Sequence, residues 1–507
     1  MVALERDFTS GRNRLSRMLP FAIGRTDRRF LVAMLLALIG IRLLVILWLP
    51  VTDTTEARYI EIARKMLASG DWINPQFDVG VPFWGKPPLH TWLSALGMKL
   101  FGVGYFGARI LIFLTAIATG LLCLGWVRRD RGLDQGLVAV AVMGSSLLFF
   151  GASAFVMTDM VMVMGTTLGM IAFYRSVQNT RDRRLWGHLF FLSLAIGLLA
   201  KGPVAVVLTG IPLFLWLLIG NRWHLLRGLP WKNGLLLMGM LSLPWYLAAE
   251  IRTPGFLRYF IIGEHVQRFL APGWSGDLYG NGHVEPKGMI WLFAIGAFLP
   301  WSLFAAALLL RSRAVAVVLR RDDQGWYSYL AFWALSPLIL FTPAANILPA
   351  YALPALPPAA ILLTSLWAES QGRPGQATRL AVGLVLTVMA GLYLGVAIIA
   401  QVAPAKLTTK TELMLIEKQR QIDPDMALTY WGGRSYSGEF YSRGTAGHAS
   451  DPGEIRALLS NHRRDAIAVP SRFLSQITTI TGTHFDDMGI YGRRHLLVEK
   501  PREKEEQ

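Results

Sequence analysis

The chain has 507 residues, 53% of them hydrophobic and only 16% charged, with 17 tryptophans and a mean hydropathy of +0.41. That composition excludes an ordinary soluble protein, which would carry more charge, and points to a polytopic membrane protein. The formal charge of +17 does not mark a nucleic-acid binder, because the arginines fall in short blocks between apolar runs, as in loops that face anionic lipid.

Residues 1–29 form a basic N-terminus (Arg6, Arg12, Arg14, Arg17, Arg25, Arg28, Arg29), which places this end in the cytoplasm. The apolar run Leu31 to Val51 is longer than the core of a cleaved signal peptide and lacks a small-residue cleavage site. It is expected to stay as the first membrane helix. The loop that follows, within 53–106, then lies on the far, periplasmic side and carries Asp53, Glu56, Arg58 and Lys86 among aromatics. Polar groups gathered at a membrane boundary are costly unless paired, so this loop is a functional-site hypothesis. Within it Tyr59, Ile60, Ala63, Met66 and Leu67 recur at helical spacing, predicting an amphipathic helix over Glu56 to Ala68 with its apolar face on the membrane. Pro88 to Phe101 reads as a further helix at the surface.

Apolar runs follow at about 107–127, 136–155, 160–174, 187–200, 203–220, 233–249, 288–310, 326–343, 347–367 and 379–400, giving about eleven spans with the first. The arginine blocks at Arg128 to Arg131, Arg181 to Arg184, Arg222 to Arg227, Arg311 to Arg321 and Arg373 to Arg379 then all fall on the side of the N-terminus. The opposite side receives the opening loop, Thr158-Asp159, Lys201-Gly202-Pro203, residues 250–287, Asn346 and the tail. Residues 401–507 are polar, with strand-like runs at Ala427, Asp465 and His495 and a capped helix from Asp451, predicting a small periplasmic α/β domain. The only cysteine, Cys123, lies in an apolar run, so neither an intrachain disulfide nor a cysteine metal site can form.

Asp53 and Glu56, three residues apart, are two candidates for one acidic role, with helix capping as the alternative for Asp53. Asp159 is an isolated acid with Thr158 as its polar company. Lys86 and Lys201, each before Pro or Gly-Pro, suit a phosphate as point charges, or simply snorkel to the interface. His265 and Arg268 share a helical face suited to an anion, within Glu264-His-Val-Gln-Arg-Phe269. No nucleotide-binding loop or zinc-helix signature is present, which argues against an energy-coupled pump.

The run Glu56-Ala-Arg-Tyr-Ile-Glu-Ile-Ala-Arg-Lys-Met-Leu-Ala-Ser-Gly-Asp-Trp72 resembles the opening loop of the bacterial lipid A aminoarabinose transferases. These are GT-C membrane glycosyltransferases related to protein O-mannosyltransferases. Phe83-Trp-Gly-Lys-Pro-Pro, Leu100 to Arg109, Thr158-Asp159, Ala200 to Pro203, Glu264 to Phe269, Leu299-Pro-Trp301 and Leu348-Pro-Ala-Tyr351 follow in the family's order, covering most of residues 30–360. The resemblance implies a mainly α, GT-C helical bundle over 30–400 that moves a sugar from a polyprenyl-phosphate donor to lipid A or another envelope acceptor, drawing both from membrane lipids. It implies Lys86 and Arg268 at the donor phosphate with Arg58 nearby. Beside Tyr59, the opening-loop acid and Asp159 would frame the acceptor, and Lys201, His265 and Tyr351 would line the cavity.

Three departures stand out. Thr55 takes the place where the family has Asp, Gly85 stands where the aminoarabinose enzymes have Glu, and the segment before Leu348-Pro349 lacks the usual lysines. The second weakens the case for a divalent metal, for which Glu264 and His265 are the candidate ligands; the third points to a different sugar or acceptor. Transfer to protein or another envelope lipid is the near alternative. A polyprenyl-lipid transporter is the alternative of another class, disfavoured because the charges gather at one face rather than at mid-membrane.

Overall fold

A computed structural model describes residues 23–178, 181–280, 282–310, 316, 322, 325–371, 376–461 and 463–501. The basic segment before residue 23, most of the Arg311 to Arg321 block, and Arg373 lie outside the described residues. The chain runs α1 (Arg25–Trp48), α2 (Thr55–Ser69), β1 (Gln76–Asp78), β2 (Val81–Pro82), α3 (Leu89–Phe101), α4 (Tyr105–Arg131), α5 (Leu133–Ser145), α6 (Leu147–Ala152), α7 (Thr158–Gln178), α8 (Arg183–Lys201), α9 (Pro203–Ile219) and α10 (Trp231–Arg252). A π-helical segment, Arg258–Gln267, precedes α11 (Met289–Ala297), α12 (Trp301–Leu309) and α13 (Trp326–Phe341). A 3-10 turn, Pro349–Ala355, leads into α14 (Leu356–Gln371) and α15 (Gln376–Val402).

This is a mainly α, multi-pass membrane protein. Among the described residues seven helices are long and apolar enough to cross a membrane, and α11 with α12 forms an eighth unit bent by 109°. Three further apolar helices, α5, α9 and α13, are shorter, at 13, 17 and 16 residues. At about 1.5 Å per residue the shortest reaches roughly 20 Å, less than the hydrocarbon thickness. Two runs read as single spans are therefore broken. The 136–155 run divides at Ser146, whose backbone is extended and whose hydroxyl bonds the Met143 carbonyl at 2.6 Å. The 288–310 run turns at Leu299-Pro300, where proline removes a helix donor.

Helix α7 is the most enclosed of the seven, 83% buried over its apolar window. It lies against α8 through small residues: a Cβ on Gly169 would meet the Ser193 hydroxyl at 2.5 Å, and one on Gly165 the Gly197 nitrogen at 3.3 Å. Glycine lets the two backbones approach as membrane helices do at their closest crossings. The core at the Arg128–Arg131 end is aromatic, with Trp126 against Trp326 at 4.7 Å and Tyr174 against Tyr329 at 5.0 Å. The start of α7 and the end of α8 meet at the opposite end.

Helix α2 does form, but not as a surface helix with a wet polar face. Tyr59, Ile60, Ala63 and Met66 are buried, and so are Glu56, Glu61 and Lys65 on its other sides. It packs between α3 and the C-terminal unit, where Lys65 meets Glu439 at 3.0 Å.

That unit comprises α16 (Leu413–Ile422), β3 (Ala427–Trp431), α17 (Tyr436–Tyr441), β4 (Gly447–Ala449), α18 (Pro452–Ser460), β5 (Asp465–Pro470), α19 (Leu474–Thr481), β6 (Phe485–Tyr491) and β7 (Arg494–Glu499). The sheet order is β4-β3-β5-β7-β6, parallel around β3 and antiparallel around β7. Asp451 caps α18 with Glu454 in a capping box, as the sequence indicates. Strands β4 and β6 were not expected: β4 has three residues, and β6 is exposed along most of its length, so neither shows an apolar run.

Candidate active site

Four chain breaks place the polar residues around one cavity of about 400 Å³. Pro87-Pro88 ends the opening loop and starts α3, which fixes Lys86 at the boundary. Asp159 is in the first turn of α7 and Lys201 is the last residue of α8. The next residue, Gly202, has φ +84°, and a Cβ there would meet the Phe260 ring at 2.5 Å. The π-helical segment and the turn after it bring Glu264 and Arg268 to one face, and such bulges are frequent at functional sites. The cavity is lined by Arg58, Lys86, Asp159, Lys201, Arg268 and Tyr351, with Tyr59, Glu264, Asp277 and others completing it.

The charges form linked pairs. Lys86 Nζ lies 2.6 Å from Glu264 Oε2. Arg268 Nη1 is 3.1 Å from both Glu264 Oε1 and Asp277 Oδ2. Lys201 pairs with Asp159 and stands 4.5 Å over the Tyr351 ring. Burial alone would raise the Glu264 carboxyl, but the Lys86 and Arg268 charges outweigh it and hold the group below its usual range. Arg58 donates to the Tyr279 carbonyl and lies 5.4 Å from the Tyr59 ring. Tyr279 is itself clamped, its hydroxyl donating to the Pro82 carbonyl and accepting from the Trp84 N–H, each at 2.9 Å.

The two opening-loop acids are not brought to this cavity. The Asp53 carboxylate accepts from the hydroxyls of Ser435 at 2.8 Å and Ser437 at 2.7 Å, and from the Ser437 N–H at 3.0 Å. It does not cap α2, whose N-cap is Thr54 without a side-chain bond. Glu56 is 1% exposed and takes both arms of Arg109, at 2.8 and 2.7 Å. Thr54 and Thr55 line the cavity instead. His265 borders a smaller recess of about 80 Å³ that shares Lys86, Lys201, Glu264, Arg268 and Tyr351.

The donor set does not fit a divalent metal. Among the described residues no cluster of three His, Cys, Asp or Glu is placed to hold one. The Glu264 carboxylate is taken by Lys86 and Arg268. The His265 nitrogens face the carbonyls of Phe260 at 2.8 Å and Lys201 at 3.3 Å, and burial lowers the pKa of the ring. An acid at position 85 would need room that is absent, since a Cβ on Gly85 would meet the Phe83 ring at 2.8 Å.

Asp277, Tyr279 and Tyr436 were not singled out in the sequence. The first two sit in a long loop without periodicity, and Tyr436 enters from the C-terminal unit.

Residues 28–260 match the family model described as dolichyl-phosphate-mannose-protein mannosyltransferase. An undecaprenyl phosphate-alpha-4-amino-4-deoxy-L-arabinose arabinosyl transferase of Edwardsiella ictaluri is 32% identical over 370 residues, 72% of this chain and 63% of that one. A protein of the same description from Pseudomonas fluorescens is 32% identical over 381 residues, 72% of this chain and 62% of that one. The matched stretch thus spans less than two thirds of these relatives' own length. The crystal structure of ArnT from Cupriavidus metallidurans bound to undecaprenyl phosphate superposes with a TM-score of 0.75 at 18% identity, covering 93% of this chain and 98% of that one.

The chain shares the membrane fold of ArnT.

The ArnT-like likeness in fold covers nearly the whole chain, including the C-terminal unit. The family model ends at Phe260, so it includes Lys86, Asp159 and Lys201 but stops short of Glu264, Arg268 and Tyr351.

Proposed function

We propose that this ArnT-like protein is a membrane glycosyltransferase that moves a sugar from a polyprenyl-phosphate donor to a phosphate-bearing envelope acceptor, lipid A foremost. The observation that carries this reading is the Lys86–Glu264–Arg268 chain at the mouth of a membrane-boundary cavity: two cations share one carboxylate, and an arriving phosphate can take that carboxylate's place on both. The activity of the similar arabinosyl transferases supports the donor class.

In the reaction the acceptor oxygen bonds to the sugar's anomeric carbon as the bond from that carbon to the donor phosphate oxygen breaks. The bonding electrons leave with the polyprenyl phosphate, whose added negative charge Lys86 and Arg268 neutralise in place. Each carboxylate lining the cavity is already in an ion pair: Asp159 with Lys201, Glu264 with Lys86 and Arg268, and Asp277 with Arg268. Asp53 and Glu56 are engaged elsewhere. An acceptor that arrives ionised, such as a phosphate, needs no base, and this favours it over a protein hydroxyl.

The reading places the cavity at the periplasmic face of the inner membrane and the N-terminus in the cytoplasm. Support comes from the arginines at Arg128, Arg129, Arg131, Arg183, Arg184, Arg222 and Arg227, which gather at the helix ends away from Asp159 and Lys201. By the same reading residues 30–400 are the catalytic membrane domain and 401–507 a periplasmic domain resting on α2.

The test is transfer in liposomes containing a polyprenyl-phosphate sugar and lipid A. The protein should yield sugar-modified lipid A by mass spectrometry, and a folded Lys86→Ala variant should not. Full transfer by Lys86→Ala would overturn the reading.

A further inference from the structure

Asp53 and Ser435 lie 382 residues apart in the chain, yet the Asp53 carboxylate grips both residues that flank Tyr436. It accepts from the Ser435 hydroxyl at 2.8 Å and from the hydroxyl and N–H of Ser437 at 2.7 and 3.0 Å. Both serines are buried, and hydrogen bonds to a carboxylate are stronger than neutral ones in such a place. The Asp53 N–H in turn donates to the Lys410 carbonyl at 2.7 Å, and the Val51 N–H donates to the Tyr441 hydroxyl at 2.7 Å. Residues 51–53 are thus tied to both ends of α17, which fixes where its first residue, Tyr436, is presented.

Among the described residues Tyr436 is the only one after residue 400 that lines the cavity. Its ring is half-buried, 5.8 Å from the Phe77 ring and 5.2 Å from the Arg434 guanidinium. Among the described residues its hydroxyl has no hydrogen-bond partner, and burial pushes its pKa up, so it keeps a proton to donate. The charges that act on it are those of Arg58, Arg434, Glu439 and Asp53. Those that act on Tyr351 are Lys86, Arg268, Asp159 and Glu264. The two tyrosines therefore mark two ends of one cavity, and the donor phosphate belongs to the Tyr351 end. In a single displacement the acceptor oxygen approaches the anomeric carbon on the face opposite the leaving oxygen. The Tyr436 end is then the acceptor's side.

We propose that Tyr436 binds the acceptor headgroup, its ring packing on an acceptor sugar and its hydroxyl donating to an acceptor oxygen, and that Asp53 holds it there. A tyrosine offers a sugar both an apolar face and a polar tip, at a low cost in side-chain entropy. Asp53 is a positioning residue: its carboxylate is filled by the two serines and acts through Tyr436. Neither residue belongs to the run from Glu56 to Trp72 that carries the family resemblance. The assignment rests on the transferase reading above and gives that reading its acceptor contact.

Steady-state kinetics of the full-length protein in liposomes test both halves, with donor and lipid A varied separately and rates taken per folded molecule. Tyr436→Ala should raise the KM for lipid A about tenfold, the size of one lost hydrogen bond and ring contact, and leave the donor KM within about twofold. Asp53→Ala should raise it by a similar factor, and Asp53→Asn, which keeps one accepting oxygen, should recover part of the loss. Asp53→Ala combined with Tyr436→Ala should be no worse than Tyr436→Ala alone, because nothing is left to position. If Asp53→Ala does not fold, Asp53→Asn takes its place in that comparison. An unchanged lipid A KM in Tyr436→Ala, or an equal rise in the donor KM, overturns the acceptor contact. Effects that multiply in the double variant overturn the positioning role, because a merely structural Asp53 would act independently of Tyr436. If Lys86→Ala abolishes transfer while Tyr436→Ala matches the unaltered protein, only this inference falls. If the unaltered protein transfers no sugar to lipid A, the transferase reading falls with it.

Discussion

Lys86 Nζ and Glu264 Oε2 lie 2.6 Å apart across 178 residues of chain, joining the opening loop to the π-helical segment. Glu264 is the buried member and is shared with Arg268. Removing it strands Lys86 and leaves Arg268 with Asp277 alone, at a cost of roughly 3 kcal/mol. Glu264→Gln should therefore lower the thermal unfolding midpoint in detergent. Polyprenyl phosphate should restore more of that loss than it adds to the unaltered protein, because it supplies the missing anion. An equal lipid-induced shift in both proteins would separate Glu264 from the phosphate site.

A second carboxyl governs the junction between the opening loop and the C-terminal unit. Burial pushes Glu412 up to about 7, with the Asp53 charge adding to it and Arg494 opposing. An acid whose folded-state pKa lies above its unfolded one of 4.5 favours the protonated fold. Its contribution is therefore intact below about pH 4.5 and is lost as pH rises toward 7, by roughly 3 kcal/mol. Unfolding midpoints measured from pH 4 to 8 should fall less for Glu412→Gln than for the unaltered protein. Parallel curves would refute the assignment.

How far the sequence reaches is clear from particular residues. The span pattern was legible because apolar runs and arginine blocks are long-range composition signals, and Asp451 and Glu454 announced α18 by local spacing. Asp159 was legible as a lone acid at the edge of an apolar run, Lys86 and Lys201 as lysines set before Pro or Gly-Pro at that boundary, and Arg268 by its helical spacing to His265. Asp53 and Glu56 misled for the converse reason. Their three-residue spacing suggests convergence, yet partners 382 and 53 residues away, Ser435 and Arg109, draw them apart. The shortness of α5 and the bend between α11 and α12 depend on how helices pack, which hydropathy does not encode.

The Glu56–Arg109 pair should prove structural. Both side chains are almost fully buried, and removing either alone strands a charge, at about 3–5 kcal/mol. Glu56→Ala and Arg109→Ala should each cut the yield of folded protein. The double change Glu56→Leu with Arg109→Met should recover much of it, since a well-packed apolar pair can replace a buried ion pair. Transfer per folded molecule should be within a few-fold of the unaltered protein. Complete loss of transfer in a well-folded double variant would return Glu56 to the chemistry.

Asp159 decides the acceptor class. Its carboxylate pairs with Lys201, and Thr158 donates to it at 3.3 Å, so as found it is an orienting anion rather than a free base. If the acceptor is a phosphate, Asp159→Asn removes only that orientation. It also frees Lys201 to attract the phosphate, so kcat should fall by about tenfold or less while acceptor KM holds or drops. If the acceptor is a hydroxyl, the same change removes the base, and kcat should fall by about 10²–10⁴. Steady-state kinetics of Asp159→Asn with lipid A and with a hydroxyl-bearing peptide therefore separate the two. A loss of about a thousandfold on lipid A would show that Asp159 leaves Lys201 during turnover to accept a proton.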